Sequence, residues 1–342
     1  MKILKTISDL SRIKKGCVLT IGNFDGLHLG HQAILTTAKK AASQKKTELV
    51  VMTFDPHPLV ILHSQETPGI LTPLPLKKLL LAEFGPDYLF VVKTTRRLLS
   101  LPPPDFVRQF LVKHIRPSVV VEGESFNFGL DRAGSVHTLQ KLGMSCGFDV
   151  VMVKVKEVKL STGQTVKVSS TIIRDLLADG RVADAAVALG SPYRLVERVV
   201  SGRGRGKKLG FPTANMKPPR QLVPAEGVYA GFVEVADTRR QLLLAGRKIP
   251  AAFSIGRGLM FADDVSLLVE AHFLTENVGQ LYGKWLAMDF VQRIRSQKKF
   301  KTAKDLSAQI AKDCKRVKRI LDVCGGLAAM YGALAAGCGE LH

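Results

Sequence analysis

Apolar positions in the first half of the chain come in short runs, separated by longer stretches where they recur every three or four residues. The runs Cys17–Ile21, Glu48–Phe54, Tyr88–Val92, Ser118–Glu122 and Asp149–Val155 are rich in β-branched residues and too short for helices. Between them, helical periodicity begins at His31 and recurs over Leu74–Glu83, Asp105–His114 and Ser135–Leu142. Strand and helix in alternation predict a doubly wound, Rossmann-like α/β domain. Its sheet is mostly parallel and covered on both faces, with ligands at the carboxyl ends of the strands. Two further helical segments, one opening at Ser169 and one ending at Gly190, close this half.

From Pro192 the pattern shifts to short alternating segments divided by Gly and Pro: Tyr193–Val200, Gly227–Val235, Gln241–Leu244, Ser266–Leu274 and Trp285–Val291. These predict a small antiparallel β-barrel, followed by a basic amphipathic helix over Thr302–Leu321. The boundary falls near residue 186, giving domains 1–185 and 186–322. The Gly/Ala-rich stretch 323–342 is expected to be a loosely packed appendage.

Charge narrows the function classes. The chain carries a formal +21 over 342 residues: residues 1–185 hold 25 Lys/Arg against 16 Asp/Glu, and residues 186–322 hold 25 against 12. Such a balance suits a nucleic-acid binder, or an enzyme steering phosphorylated ligands into two clefts. Aromatic residues are only 6%, too few for repeated stacking on single strands. The basic runs Lys298–Lys301 and Lys315–Arg319 read as solvated faces. No apolar run is long enough to span a bilayer, and the N-terminus lacks a signal-peptide block. Five scattered cysteines without C-x-x-C spacing point to reduced thiols in a cytoplasm rather than a disulfide or zinc framework. The expected partners are small molecules, with no specific nucleic acid and no membrane, and the expected state is a monomer or weak homo-oligomer.

The richest stretch is Val18–Gln32, V-L-T-I-G-N-F-D-G-L-H-L-G-H-Q. A strand stops at Gly22, a tight loop carries Asn23, Phe24, Asp25 and Gly26, and two histidines, His28 and His31, flank Gly30 where a helix opens. Helix N-termini present unpaired N–H groups and a positive dipole end. Glycines let backbone approach a ligand, and imidazoles add donors for charge developing on phosphate. This corner is a phosphate site. A purely structural histidine is the alternative, and two His with three Gly in one turn weigh against it.

The pattern G-x-F-D-x-x-H-x-G-H resembles the signature of the nucleotidylyltransferase superfamily, and the flanking words resemble the bacterial bifunctional riboflavin kinase/FMN adenylyltransferase (FAD synthetase) family. The resemblance spans roughly residues 15–320. It implies that Gly22 through Gly26, Gly30 and the S-S-T-I-I-R word (Ser169, Ser170, Thr171, Arg174) meet ATP phosphates. It implies catalytic roles for His28, His31 and Arg174. In V-E-G-E-S-F-N-F-G it implies flavin contacts from Ser125, Asn127 and Phe128; many relatives carry Asp or Asn at the Ser125 position. T-F-D-P-H-P (Thr53–Pro58) also matches, His57 being equally compatible with a rigid loop.

In the second half G-R-G-R-G-K-K-L-G-F-P-T-A-N (Gly202–Asn215) resembles the family's kinase signature. Gly202, Gly206, Lys207, Gly210 and Pro212 would then cradle phosphates, and Thr213 and Asn215 would hold Mg²⁺. A Pro-containing turn capped by Thr and Asn is the alternative. Glu270, in V-E-A-H-F-L, matches the position of the family's general base, and Arg295 a flavin position. Where relatives read N-I-G-x-x-P-T-F this chain has S-I-G-R-G-L-M-F (Ser254–Phe261), so Ser254, Leu259 and Met260 replace Asn, Pro and Thr. The implied activity is ATP-dependent conversion of riboflavin to FMN, then of FMN and ATP to FAD and pyrophosphate. The rivals are an adenylyltransferase with an impaired kinase half, and a basic nucleic-acid-binding protein on the same fold. The complete Thr213/Asn215/Glu270 set speaks against the first. The lack of an aromatic-interleaved basic segment speaks against the second.

Overall fold

The computed structural model describes residues 1–62, 69–202, 206, 210–239, 241–243, 248–261, 264–275 and 279–336. The chain divides into two compact units, residues 1–159 with 165–170, and residues 160–164 with 171–342.

The first unit contains strands β1 (Lys2–Leu4), β2 (Val18–Ile21), β3 (Leu49–Asp55), β4 (Tyr88–Lys93), β5 (Val119–Gly123), β6 (Asn127–Phe128), β7 (Gly134–Ser135) and β8 (Asp149–Val153). Six of them form one sheet in the order β1-β4-β3-β2-β5-β8, every pairing parallel. Its helices are α1 (Leu29–Gln44), α2 (Pro58–Leu62), α3 (Leu74–Ala82), α4 (Arg96–Leu99), α5 (Pro103–Asp105) and α6 (Val136–Cys146).

Alternate residues of each strand serve opposite faces. Val18, Leu49, Val51, Leu89, Val91, Val119 and Val121 pack with Leu35, Ala38 and Ala42 of α1 and Leu81 of α3. Leu19, Ile21, Val50, Met52, Phe90 and Val120 pack on the other face against Phe106, Phe110 and Leu139. Burial on both faces is why these strands read as unbroken apolar runs. The expected helix at Asp105–His114 instead opens as α5 and widens into a π-helix over Phe106–Val112, whose Phe106 and Phe110 rings stack at 5.7 Å. From β2 the chain moves outward through β3 and β4, then returns to β5 on the other side of β2. The strand order therefore reverses between β2 and β5, where an open α/β sheet forms its crevice.

The second unit is a closed barrel of β11 (Tyr193–Val200), β12 (Thr213–Met216), β13 (Gly227–Ala236), β14 (Ile249–Phe261), β15 (Asp264–Phe273) and β16 (Trp285–Arg295). Around it the order is β11-β12-β15-β14-β13-β16, antiparallel throughout. A small hairpin, β9 (Glu157–Lys159) with β10 (Thr165–Lys167), precedes it in the chain. The buried rings of Tyr229 and Phe253 meet Phe290 edge-on at 5.3 and 5.0 Å. Helices α7 (Ser170–Ala178) and α8 (Val182–Leu189) follow the hairpin, and α8 packs on β11 and β16. The last helix, α9 (Ala303–Ala336), lies against β13, β14 and β16. Arg295 pins it, donating to both carboxylate oxygens of Asp313 at 2.6–3.1 Å.

Three expectations for this half change. Gln241–Leu244 is not a strand: Gln241–Leu243 is a 3-10 turn whose Gln241 Oε1 accepts from the Thr238 amide and hydroxyl, and Leu244 lies outside the described residues. Strands β12 and β14, unpredicted, complete the barrel. The terminal helix continues past Leu321 through the Gly/Ala-rich stretch to Ala336, in keeping with alanine's helix propensity.

Candidate functional sites

The corner after β2 forms the first site. Helix α1 begins at Leu29, two residues ahead of the expected start. His28 is its N-cap: Nδ1 accepts from the His31 amide at 3.3 Å, leaving Nε2–H as the free donor. His28 and His31 stack with ring centroids 3.6 Å apart, and Phe24, fully buried, meets His31 edge-on at 5.3 Å. Gly30 suits this stack, since a Cβ there would crowd the His28 ring at 3.2 Å. Phe24 and Leu27 hold left-handed backbone (φ 45° and 46°), strain of the kind concentrated at functional loops.

Loop and surroundings are tied together. The Asp25 carboxylate accepts the Leu71 and Thr72 amides (3.2 and 2.8 Å), and Gly26 N–H donates to Thr72 Oγ1 (2.9 Å). Ser170 Oγ donates to Asp25 O at 2.7 Å, a bond within the first unit. Ser169 immediately precedes α7, Thr171 is exposed at its start, and Arg174 follows Ser170 by one turn. Thr53 Oγ1 donates to Asn23 O at 3.4 Å. In the adjoining β5, buried Glu122 accepts the Ile21 amide at 2.5 Å, and burial pushes its carboxyl well above the usual range. Past β5, Ser125 and Asn127 are exposed and bonded to one another, Asn127 Nδ2 to Ser125 O at 2.8 Å. Phe128 is buried, packing on Phe126 and Phe106.

Two polar atoms of the corner, Asn23 Oδ1 and His31 Nδ1, are buried without a hydrogen-bond partner. In a folded protein such atoms call for a ligand or water. Desolvation takes the His28 pKa down to about 4 and that of His31 well below its ordinary value. Both imidazoles are therefore neutral near pH 7, hydrogen-bond donors rather than cations. A stability consequence follows. The unfolded chain protonates His28 as pH falls through about 6.5, the folded chain only near pH 4. Acid thus favours the unfolded state in that window. His28 is expected to cost roughly 3 kcal/mol of stability as pH drops from about 6.5 to 4. Urea unfolding of the N-terminal unit, read by pulse proteolysis at several pH values, should show that loss, and His28→Gln should reduce it.

The second site lies on β12, β15 and β14. Burial alternates along β12: Ala214 and Met216 are buried, while Thr213 and Asn215 take the other face. Asn215 pairs with Glu270 and Thr213 with His272 across β15, and Ser254 of β14 lies opposite Glu270. Ser254, Glu270 and Asn215 form one row, with Thr213 Oγ1 donating to Glu270 Oε1 at 3.4 Å. Two partners escaped the sequence reading. His272 Nδ1–H donates to Pro212 O at 2.9 Å, and Gln297 Nε2 donates to Ser254 Oγ at 3.0 Å. The histidine was visible in V-E-A-H, two residues from Glu270 and thus on its face.

Gly202 and Gly206 lie against this row. A Cβ at Gly202 would lie 2.1 Å from Asn215 Nδ2, and one at Gly206 would lie 2.3 Å from Phe211 O and 3.2 Å from Thr213 Oγ1. Gly210 has positive φ, Pro212 is exposed, and Lys207 lies outside the described residues. Arg295 is not in the row; its guanidinium is engaged with Asp313. Among the described residues no helix is long and apolar enough to cross a membrane, and no cluster of three or more His, Cys, Asp or Glu could hold a metal.

Comparisons with known proteins cover both units. A family model described as FAD synthetase matches residues 10–172, and one described as riboflavin kinase matches residues 189–321. The bifunctional riboflavin kinase/FMN adenylyltransferase of Escherichia coli K12 is 38% identical over 92% of this chain and 96% of its own. That of Haemophilus influenzae is 32% identical over 93% and 98%. A solved structure from Streptococcus pneumoniae, described as a macrolide-efflux protein, superposes with TM-score 0.79 at 27% identity, covering 93% of this chain and 99% of its own.

Proposed function

The chain belongs to the bifunctional riboflavin kinase/FMN adenylyltransferase family, and from that premise we propose how its own residues divide the two reactions. The enzyme phosphorylates riboflavin with ATP to FMN and adenylylates FMN with ATP to FAD and pyrophosphate. We assign adenylyl transfer to residues 1–185 and phosphorylation to residues 186–322, with 323–342 outside both.

In the adenylyl site an FMN phosphate oxygen attacks the α-phosphorus of ATP, and the bond to pyrophosphate breaks with its electron pair. That oxygen is already anionic near neutral pH, so the site needs no base, only position and charge. The α1 N-terminus, His28 Nε2–H, His31, Ser169, Ser170, Thr171 and Arg174 supply these, on the cradle of Gly22–Gly26 and Gly30. Ser125, Asn127 and Phe128 border the flavin.

In the kinase site the primary hydroxyl of riboflavin loses its proton to Glu270 as its oxygen attacks the γ-phosphorus and ADP departs. Arg295, held by Asp313, offers the flavin a fixed guanidinium edge. Bound Mg²⁺ would neutralise phosphate charge. Thr213 and Asn215 would hold it, being hard oxygen donors too few to fill its shell, which leaves places for water and phosphate oxygens. The +21 charge serves these anionic ligands rather than nucleic acid, and the protein works in the cytoplasm as a monomer or weak homo-oligomer.

One observation carries the reading. The complete Thr213–Asn215–Glu270 row and the complete His28–His31 corner occur in one chain. Incubation with riboflavin, ATP and Mg²⁺, followed by chromatography of the flavins, should show FMN rising first and FAD following. FAD formed only from supplied FMN would mean an impaired kinase half. Neither product would remove the reading.

A further inference from the structure

The N-terminal corner contains a cation that the residues assigned so far leave out. Lys77 stands on α3 between apolar neighbours, and its side chain is only 4% exposed. Lysine is rarely buried so completely unless it is paired. Its charge interacts with the carboxylates of Asp25 and Asp55 and with His31, and α3 follows directly on Leu71 and Thr72, whose amides the Asp25 carboxylate holds. Among the described residues it closes no ion pair within 4.0 Å and no hydrogen bond.

Both carboxylates also have other surroundings: Asp25 accepts the Leu71 and Thr72 amides, and Asp55 is exposed to solvent at the end of β3. Those same Asp25 bonds, with that of Gly26 to Thr72, fix the segment leading into α3 and so fix where Lys77 stands. Both stacked imidazoles are neutral near pH 7, so the positive charge of the corner falls to Arg174 and Lys77. The partnerless buried atoms of Asn23 and His31 belong to the same loop and helix start as Asp25 and independently mark the corner as a ligand's place.

We propose that Lys77 is a phosphate-binding residue of the adenylyl-transfer site, its ammonium meeting the anionic oxygens of the ATP polyphosphate and of the pyrophosphate that leaves. A lysine suits this task as a compact point charge that can follow the leaving group. The assignment rests on the reading of this unit as the adenylyltransferase. Wild-type protein that made no FAD would remove that reading, whereas the experiment on Lys77 compares variants in an enzyme that does.

The reverse reaction, FAD with pyrophosphate giving FMN and ATP, reads this site without interference from the kinase. Lys77→Met keeps most of the volume and removes the charge. It should raise the KM for pyrophosphate, and the KM for ATP in the forward direction, by about 10- to 50-fold, the range of one charge-assisted hydrogen bond. The KM for FAD and FMN and the rate of riboflavin phosphorylation should stay within about twofold. Lys77→Arg, which keeps the charge, should recover most of the pyrophosphate affinity. If Lys77 only balances Asp25 inside the fold, the flavin and pyrophosphate KM values will rise together and arginine will restore neither. That result, or a pyrophosphate KM unchanged in Lys77→Met, overturns the proposal. Should the methionine variant fail to fold, the arginine variant decides alone: the proposal stands on a pyrophosphate KM near wild type and falls on a value as high as tenfold above it.

Discussion

Alanine at His28 or His31 is expected to slow FAD formation from FMN by about two to three orders of magnitude, the usual loss for one preorganised donor to a developing oxyanion. FMN formation from riboflavin should stay within about twofold, because we assign that chemistry to the row on β12 and β15 in the other unit. The two histidines are not equivalent. His28 also caps α1, so its removal carries a folding cost of about 1 kcal/mol beyond any effect on rate. His28→Asn separates the two roles. Asparagine accepts the cap bond as well as histidine does, yet cannot place a donor where Nε2–H stands. Thermal stability should therefore recover in His28→Asn while FAD formation stays low. His31 has no capping duty, so its removal costs the ring contacts with His28 and Phe24 rather than a cap, beside the effect on rate. Because both imidazoles are neutral near pH 7, the FAD-forming rate of the wild type should show no inflection from them between about pH 6 and 8. Wild-type FAD output from both alanine variants would sink the assignment of this corner.

How far the sequence could be read depended on how each element is buried. The central parallel strands are covered on both faces, so β2, β3, β4 and β5 appear as apolar runs, while β8, at the sheet edge and largely exposed, is apolar in sequence all the same. β1 is three residues at the sheet edge and has no pattern to detect. In the barrel, β11, β13, β15 and β16 are runs of eight to eleven residues that signal strands by length and composition, but β14 is interrupted by Pro250, Gly256 and Gly258, and β12 has only four residues. The alternation Thr213-Ala214-Asn215-Met216 was nonetheless a strand signal, and it puts both polar side chains on one face. Gln241–Leu243 shows the opposite failure, an apolar run whose first residue closes a turn with its own side chain.

The site words were legible because the chemistry needs several residue types at fixed spacing. The residues that support them from elsewhere in the chain were not. Lys77 is the instructive case. Leu74, Lys77 and Leu81 lie three and four apart, one stripe of a helix whose leucines pack into the core. A lysine inside that stripe is the trace of a buried cation. Glu122 left a similar trace, a carboxylate ending the run V-V-V in a strand buried on both faces. Which groups these side chains meet depends on pairings between residues far apart in the chain, and no local pattern reports those.

The kinase half gives the other large effect. Glu270 stands in a row with Asn215 and Ser254 on three neighbouring strands, and the Thr213 hydroxyl donates to its Oε1 at 3.4 Å. A neutral hydroxyl donor and a neutral carboxamide leave this carboxylate the one anionic group of the row, where a proton leaving the riboflavin hydroxyl can settle. Glu270→Gln keeps the shape and an acceptor for Thr213 but removes the basicity. FMN formation is expected to fall by about two to four orders of magnitude, the span of general-base loss. FAD formation from supplied FMN should persist in the same protein, which shows that the chain has folded. Thr213→Ala also removes a member of the row, but its loss acts through Mg²⁺ and the ATP phosphates, so raising Mg²⁺ should restore part of the rate. No concentration of Mg²⁺ should restore Glu270→Gln, since the missing function is a place for a proton. Riboflavin phosphorylated at the wild-type rate by Glu270→Gln would reduce Glu270 to a strand-surface residue and send the search for the base to His272, two residues along on the same face of β15.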